Sequence, residues 1–180
     1  MFTEEKVDAT SIIKKSSGLI KAYYSEYFMQ YHNKGFSLKN RNIKLEKMED
    51  LNSLHVVGFQ NAHKVLSKEY IQSIESSTKY RELANQKSQV LMLFKDRVDV
   101  IVLDESIFKY YKNMLIKEKQ ISKDIEVKSY HLFEPTKYRT AFINKKARDD
   151  FNEGLKELKK SVRYDAIYEQ YIKLNFEIKK

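Results

Sequence analysis

From Val98 to Leu103 the chain reads VDVIVL, nearly continuously apolar and β-branched. That is the pattern of a strand buried on both faces of a parallel sheet. His55 to Phe59 is a second compact apolar run. After it Asn61 opens a predicted helix with Val65, Leu66, Tyr70 and Ile74 at helical spacing. Asn85 starts another, with Val90, Leu91 and Phe94 on one face, and Ser106 to Ile116 a third. Val7 to Ile13 is β-prone, and Phe36 to Leu45 predicts extended chain interrupted by an Asn-Arg-Asn turn. Ile125 to Phe133 and Tyr138 to Ile143 predict further strands on either side of Pro135. The C-terminal third predicts two helices. One carries the stripe Ala147, Phe151, Leu155 and Leu158, the other Tyr164, Ile167, Tyr168, Tyr171 and Ile172. Strands alternating with helices imply an α/β fold with mostly parallel sheets flanked by helices.

Composition narrows the function classes. The 180 residues are 42% hydrophobic and 13% aromatic, enough to bury a core. One Pro and four Gly leave no linker or low-complexity tract. A formal charge of +9 raises a nucleic-acid reading, but Lys and Arg are interspersed with Asp and Glu along the whole chain. A generally basic surface is therefore expected, and no nucleic-acid partner. With no Cys, disulfides, thiolate metal sites and Cys nucleophiles are excluded. The N-terminal MFTEEKVDATSIIKK has acids where a signal peptide carries basic residues, and no apolar run reaches the length of a membrane span, so no membrane insertion is expected.

Candidate chemistry is sparse. His32, His55, His63 and His131 form no metal-binding spacing, and no nucleotide-binding or nucleophile-elbow motif is present. The chain is expected to be no enzyme and to hold no cofactor or metal. In open parallel sheets, ligands bind beyond the carboxyl ends of the strands. Two such ends stand out. At Asn61-Ala62-His63, backbone N–H groups can face an anion, or Asn61 can simply cap the helix, which pattern alone favours. Asp104, leaving VDVIVL, can pair with an amine or hydroxyl, and can equally cap the next helix.

Several stretches resemble one family in the right order. Glu49-Asp50-Leu51 followed by Val56-Val57-Gly58-Phe59-Gln60-Asn61-Ala62 is similar to the "slddLkGkkVgvqqGs" segment opening the second lobe of family 3 solute-binding proteins. These are polar amino-acid receptors of ABC uptake systems, with the type II periplasmic-binding-protein fold. Arg97 to Asp104 resembles their "GrvDavvlD" strand. Phe151 to Ser161 with Arg163 to Tyr171 resembles their closing "fnkaLkelkasGeydkIyeky". Lys6-Val7-Asp8-Ala9 and Tyr24-Ser25-Glu26-Tyr27 resemble "gkvDaa" and "ySdpY".

The resemblance implies two lobes closing over a small polar solute without catalysis. The expected domains are a partial first lobe at 1–38, a second lobe with hinge strands at 39–139, and a return to the first lobe at 140–180. It places ligand contacts at Asn61, Ala62, His63 and Asp104, with Asp104 free of capping and holding an ammonium, and at Ser11 in the first-lobe loop. It implies a periplasmic location and transporter membrane subunits as partners. The departures are specific. Thr10 to Lys21 holds no Arg to clamp a carboxylate, and Ile12 and Ile13 stand where polar residues are usual. The family's opening strand has no counterpart after Met1, so the first lobe is expected to be incomplete and a homodimer could cover its exposed edge. The alternatives are a fragment acting only through protein association, and a basic nucleic-acid-binding protein.

Overall fold

The structure is a computed structural model that describes residues 2, 6–19, 21–75 and 77–173. In chain order it forms β1 (Ala9–Ile13), β2 (Tyr23–Tyr24), β3 (Met29–Tyr31), β4 (Asn33–Leu38), β5 (Val56–Phe59), α1 (Ala62–Val65), α2 (Lys68–Glu75) and β6 (Tyr80–Leu83). There follow α3 (Gln86–Phe94), β7 (Val100–Asp104), α4 (Glu105–Lys117), β8 (Val127–Tyr130), β9 (Thr136–Phe142), α5 (Lys145–Lys160) and α6 (Val162–Lys173). The chain divides into two compact units, residues 1–31 with 135–180, and residues 32–134.

The second unit is a sheet in the order β6-β5-β7-β4-β8, covered on both faces. The pleat sends alternate residues to opposite sides. Val57, Ile101 and Leu103 join Val90, Leu93 and Phe94 of α3 and Phe108 and Leu115 of α4 in one core. Val56, Val100 and Val102 join Tyr70 and Ile74 of α2 and Leu51 of the 3-10 segment Met48–Ser53 in the other. β7 is buried at every position, which is why VDVIVL carries no polar alternation. Gln89 of α3, fully buried, donates from Nε2 to the carbonyls of Val57 and Val102, at 2.8 and 3.0 Å. It thereby ties the helix to the central strands.

The helix expected from Asn61 breaks in two. Leu66 is extended, and the Ser67 hydroxyl accepts from Tyr70 N at 3.3 Å, starting α2 afresh. The sheets also differ from the mostly parallel expectation. Among the described residues parallel pairing joins β5 to β6 and β5 to β7, and the other pairings are antiparallel. Parallel neighbours need a crossover, which α1 with α2 and then α3 provide. β4 inserts between β7 and β8 and runs opposite to both.

In the first unit β1, β2 and β3 all lie antiparallel along β9. Phe151 of α5 meets Phe28 and Phe142 at ring-centroid distances of 6.2 and 5.4 Å, and Leu155 is buried. Two members of the expected stripes lie outside the core, since Ala147 is exposed and Ile167 is 40% exposed. Tyr164 is half-buried and its hydroxyl donates to the Phe28 carbonyl at 2.9 Å. The side chains of Tyr168, Tyr171 and Ile172 lie outside those described. The expected domain boundaries shift accordingly. β4 pairs with β7 and β8 and so belongs to the second unit, while β9 belongs wholly to the first.

Candidate functional site

Because β5, β6 and β7 are mutually parallel, their carboxyl ends share one edge of the second unit's sheet. Asp104 ends β7 and pairs in register with Asn33, so the start of antiparallel β4 reaches the same edge. The Asn61-Ala62-His63 turn, Glu82 and Asp104 are thus brought together by topology.

At the turn, Asn61 adopts the left-handed conformation, with φ 63° and ψ 19°, and its side chain makes no capping bond. Asn tolerates this region better than most residues. The conformation aims the N–H groups of Asn61 and His63 at one carboxylate, that of Glu82. Asn61 N donates to Oε2 at 2.7 Å, and His63 N donates to Oε1 at 2.8 Å. The His63 ring Nδ1 also lies 2.8 Å from Oε1, and the Tyr80 hydroxyl donates to Oε1 at 2.7 Å. Tyr70, fully buried, donates its hydroxyl to that of Tyr80 at 3.3 Å. Burial acts to raise the Glu82 pKa, but the bonds from His63, Tyr80 and Asn61 outweigh it and hold the carboxyl below its ordinary range. Burial foremost pushes both tyrosine hydroxyls above their ordinary value, so they stay protonated donors.

Gly58 makes room for this network. A Cβ there would lie 2.7 Å from the Tyr80 hydroxyl and 3.1 Å from that of Tyr70. Glu82 and β6 are absent from the sequence expectations. YREL is too short and too polar to stand out between two helices. The available signal was Tyr80 and Glu82 at a spacing of two, which puts both side chains on one face of a strand.

Asp104 corrects the expectation of a carboxylate free of capping. It is 6% exposed and caps α4, with Oδ1 accepting from Ser106 N at 2.9 Å and Ile107 N at 3.1 Å. Its Oδ2 accepts from His32 N at 2.8 Å, joining the helix start to the start of β4. The acid leaving a buried strand is the nearest acceptor for donors that the helix itself cannot pair. Beside it Lys34 Nζ lies 2.7 Å from Glu105 Oε2, a bond that holds Glu105 below its ordinary pKa.

Ser11 lies exposed on β1 of the other unit. The β1–β9 register shifts between Thr10 and Ile13, and Ile12 there has a φ of 59°, an uncommon conformation for a β-branched residue. The same unit has a surface groove of about 500 Å³ beside Tyr27, Asn152 and Leu155, lined by none of the predicted contacts. Among the described residues no three His, Asp or Glu side chains are grouped to hold a metal ion, and no helix is long and apolar enough to cross a membrane.

No protein-family model and no curated protein sequence matches the chain. Solved structures do. An amino acid ABC transporter substrate-binding protein, AbpA from Streptococcus pneumoniae, bound to L-arginine, superposes with a TM-score of 0.68 at 15% identity, over 97% of this chain and 72% of that one. The GluR0 ligand-binding core with L-glutamate gives 0.70 at 12% identity, over 94% and 74%. An ancestral arginine-binding protein bound to arginine gives 0.66 at 21% identity, over 94% and 73%. The α/β fold of this chain is that of type II periplasmic binding proteins, the fold of the amino-acid ABC transporter substrate-binding proteins.

Proposed function

We propose that this chain binds a small polar solute without transforming it, at the carboxyl edge of the β5-β6-β7 sheet. The observation that carries this reading is the convergence of the Asn61-Ala62-His63 turn, Glu82 and Asp104 on that edge. Ligands of open α/β sheets bind at such edges, and the similar structures are described with arginine or glutamate bound. Nothing in the network suits acid–base chemistry. Glu82 is surrounded by donors and held ionised, a fixed charge rather than a proton shuttle. Ser11, exposed on β1, is proposed separately as a polar solute contact of the first unit. Delivery to transporter membrane subunits, action in the periplasm and self-association to a homodimer belong to the same reading. The basic charge, spread among acids, favours solubility over a nucleic-acid interface.

The test is thermal unfolding and calorimetry across amino acids, amines, sugars and organic acids. A bound solute raises stability by about 2.7 kcal/mol at a hundredfold excess over Kd. Arginine, glutamine and glutamate are expected to bind weakly, because Thr10 to Lys21 lacks Arg. Two lost charge-assisted hydrogen bonds at about 1.5–3 kcal/mol each weaken binding by on the order of a hundredfold or more. A panel in which every solute leaves the midpoint unmoved would defeat the proposal.

A further inference from the structure

The Asn61-Ala62-His63 turn looks, from its backbone, like a receptor for an anion. Its two inward N–H groups are already spent. Asn61 N and His63 N each hold one oxygen of Glu82, at 2.7 and 2.8 Å, and His63 Nδ1 and the Tyr80 hydroxyl close on the same carboxylate. The Glu82 side chain is only 17% exposed, so this is no loose surface pair. The groups around it come from three elements, His63 from α1, Tyr80 from its own strand and Tyr70 from α2 behind Tyr80.

We propose that Glu82 is a built-in occupant of this turn and so a specificity-determining residue, which excludes a solute carboxylate or other anion from the Asn61 and His63 N–H groups. This rests on the reading of the edge as the solute site, and it narrows the solute to one whose group nearest the turn is not an anion. The reason is electrostatic. A second carboxylate would need the donors Glu82 holds and would meet a like charge in their place. Gly58 belongs to the device, since its missing Cβ is what lets Tyr80 stand beneath the carboxylate.

The experiment follows the Asn61 and His63 amides of the full chain by nitrogen-15 NMR, with acetate and inorganic phosphate as probes. At neutral pH neither probe is expected to move these amides. On acidification both amides should respond together in one step, as Glu82 takes a proton and releases them. In Glu82→Gln that step is expected to vanish. In Tyr80→Phe, which keeps both amide bonds, it should move to higher pH, because the carboxylate loses a donor. A saturable acetate shift in the unmodified chain, a step that survives Glu82→Gln, or one unmoved by Tyr80→Phe would overturn the proposal. None of these readouts requires a solute. A failed solute panel leaves them standing, and an acetate-binding turn would defeat this inference without touching solute binding.

Discussion

Replacing Asp104 by Ala separates a capping acid from a ligand-binding acid. Its carboxylate accepts from Ser106 N, Ile107 N and His32 N at 2.9, 3.1 and 2.8 Å, and the residue is 6% exposed. Loss of an N-cap costs about 0.5–2 kcal/mol. Leaving the His32 N–H without its acceptor costs about 1–3 kcal/mol more. The two losses share one side chain and do not simply add, so Asp104→Ala should destabilise the second unit by roughly 2–4 kcal/mol. Asp104→Asn is expected to cost less, about 1–2 kcal/mol, because one amide oxygen can still cap α4 while the amide nitrogen faces the His32 donor. Urea unfolding followed by circular dichroism reads both values, provided the slope m is unchanged. A cost for Asp104→Ala below about 0.5 kcal/mol would refute the capping role. So would Asn proving as damaging as Ala. An acid reserved for a solute ammonium gives the opposite result, with binding lost and stability kept.

Gly58→Ala should destabilise by about 1–3 kcal/mol, since its Cβ would press on the Tyr80 and Tyr70 hydroxyls; an unchanged urea midpoint would show that the tyrosines move aside freely. Acid should weaken the second unit in a way traceable in part to two residues. Glu82 and Glu105 both have folded pKa values below their ordinary range, so their stabilisation is complete above the unfolded value and is lost as pH falls through the folded one. Thermal melts at descending pH should show this loss, and Glu82→Gln and Glu105→Gln should each make it shallower. Parallel profiles for the three proteins would contradict it.

What the sequence by itself determined is the order of most elements, and it did so where burial leaves a periodic mark. VDVIVL announced β7 because a strand covered on both faces has no solvent side to make polar. Asn85 announced α3 because its side chain accepts from Ser88 N, a local contact. The carboxyl-edge rule pointed to the 61–63 turn and to Asp104 for the same kind of reason, each lying directly after a legible strand. The tertiary structure decided which partners these residues take. Asp104 reads equally as cap or ligand contact until the fold brings His32 N, 72 residues away, onto its second oxygen. The turn reads as an Asn61 cap or as an anion receptor until Glu82 arrives from β6, 21 residues beyond Asn61, and takes its N–H groups, while the Asn61 side chain makes no cap. Hydrophobic period reports the burial of a stretch of chain. It carries no record of which distant polar group will come to share that stretch's hydrogen bonds, because that depends on strand order and register across the sheet.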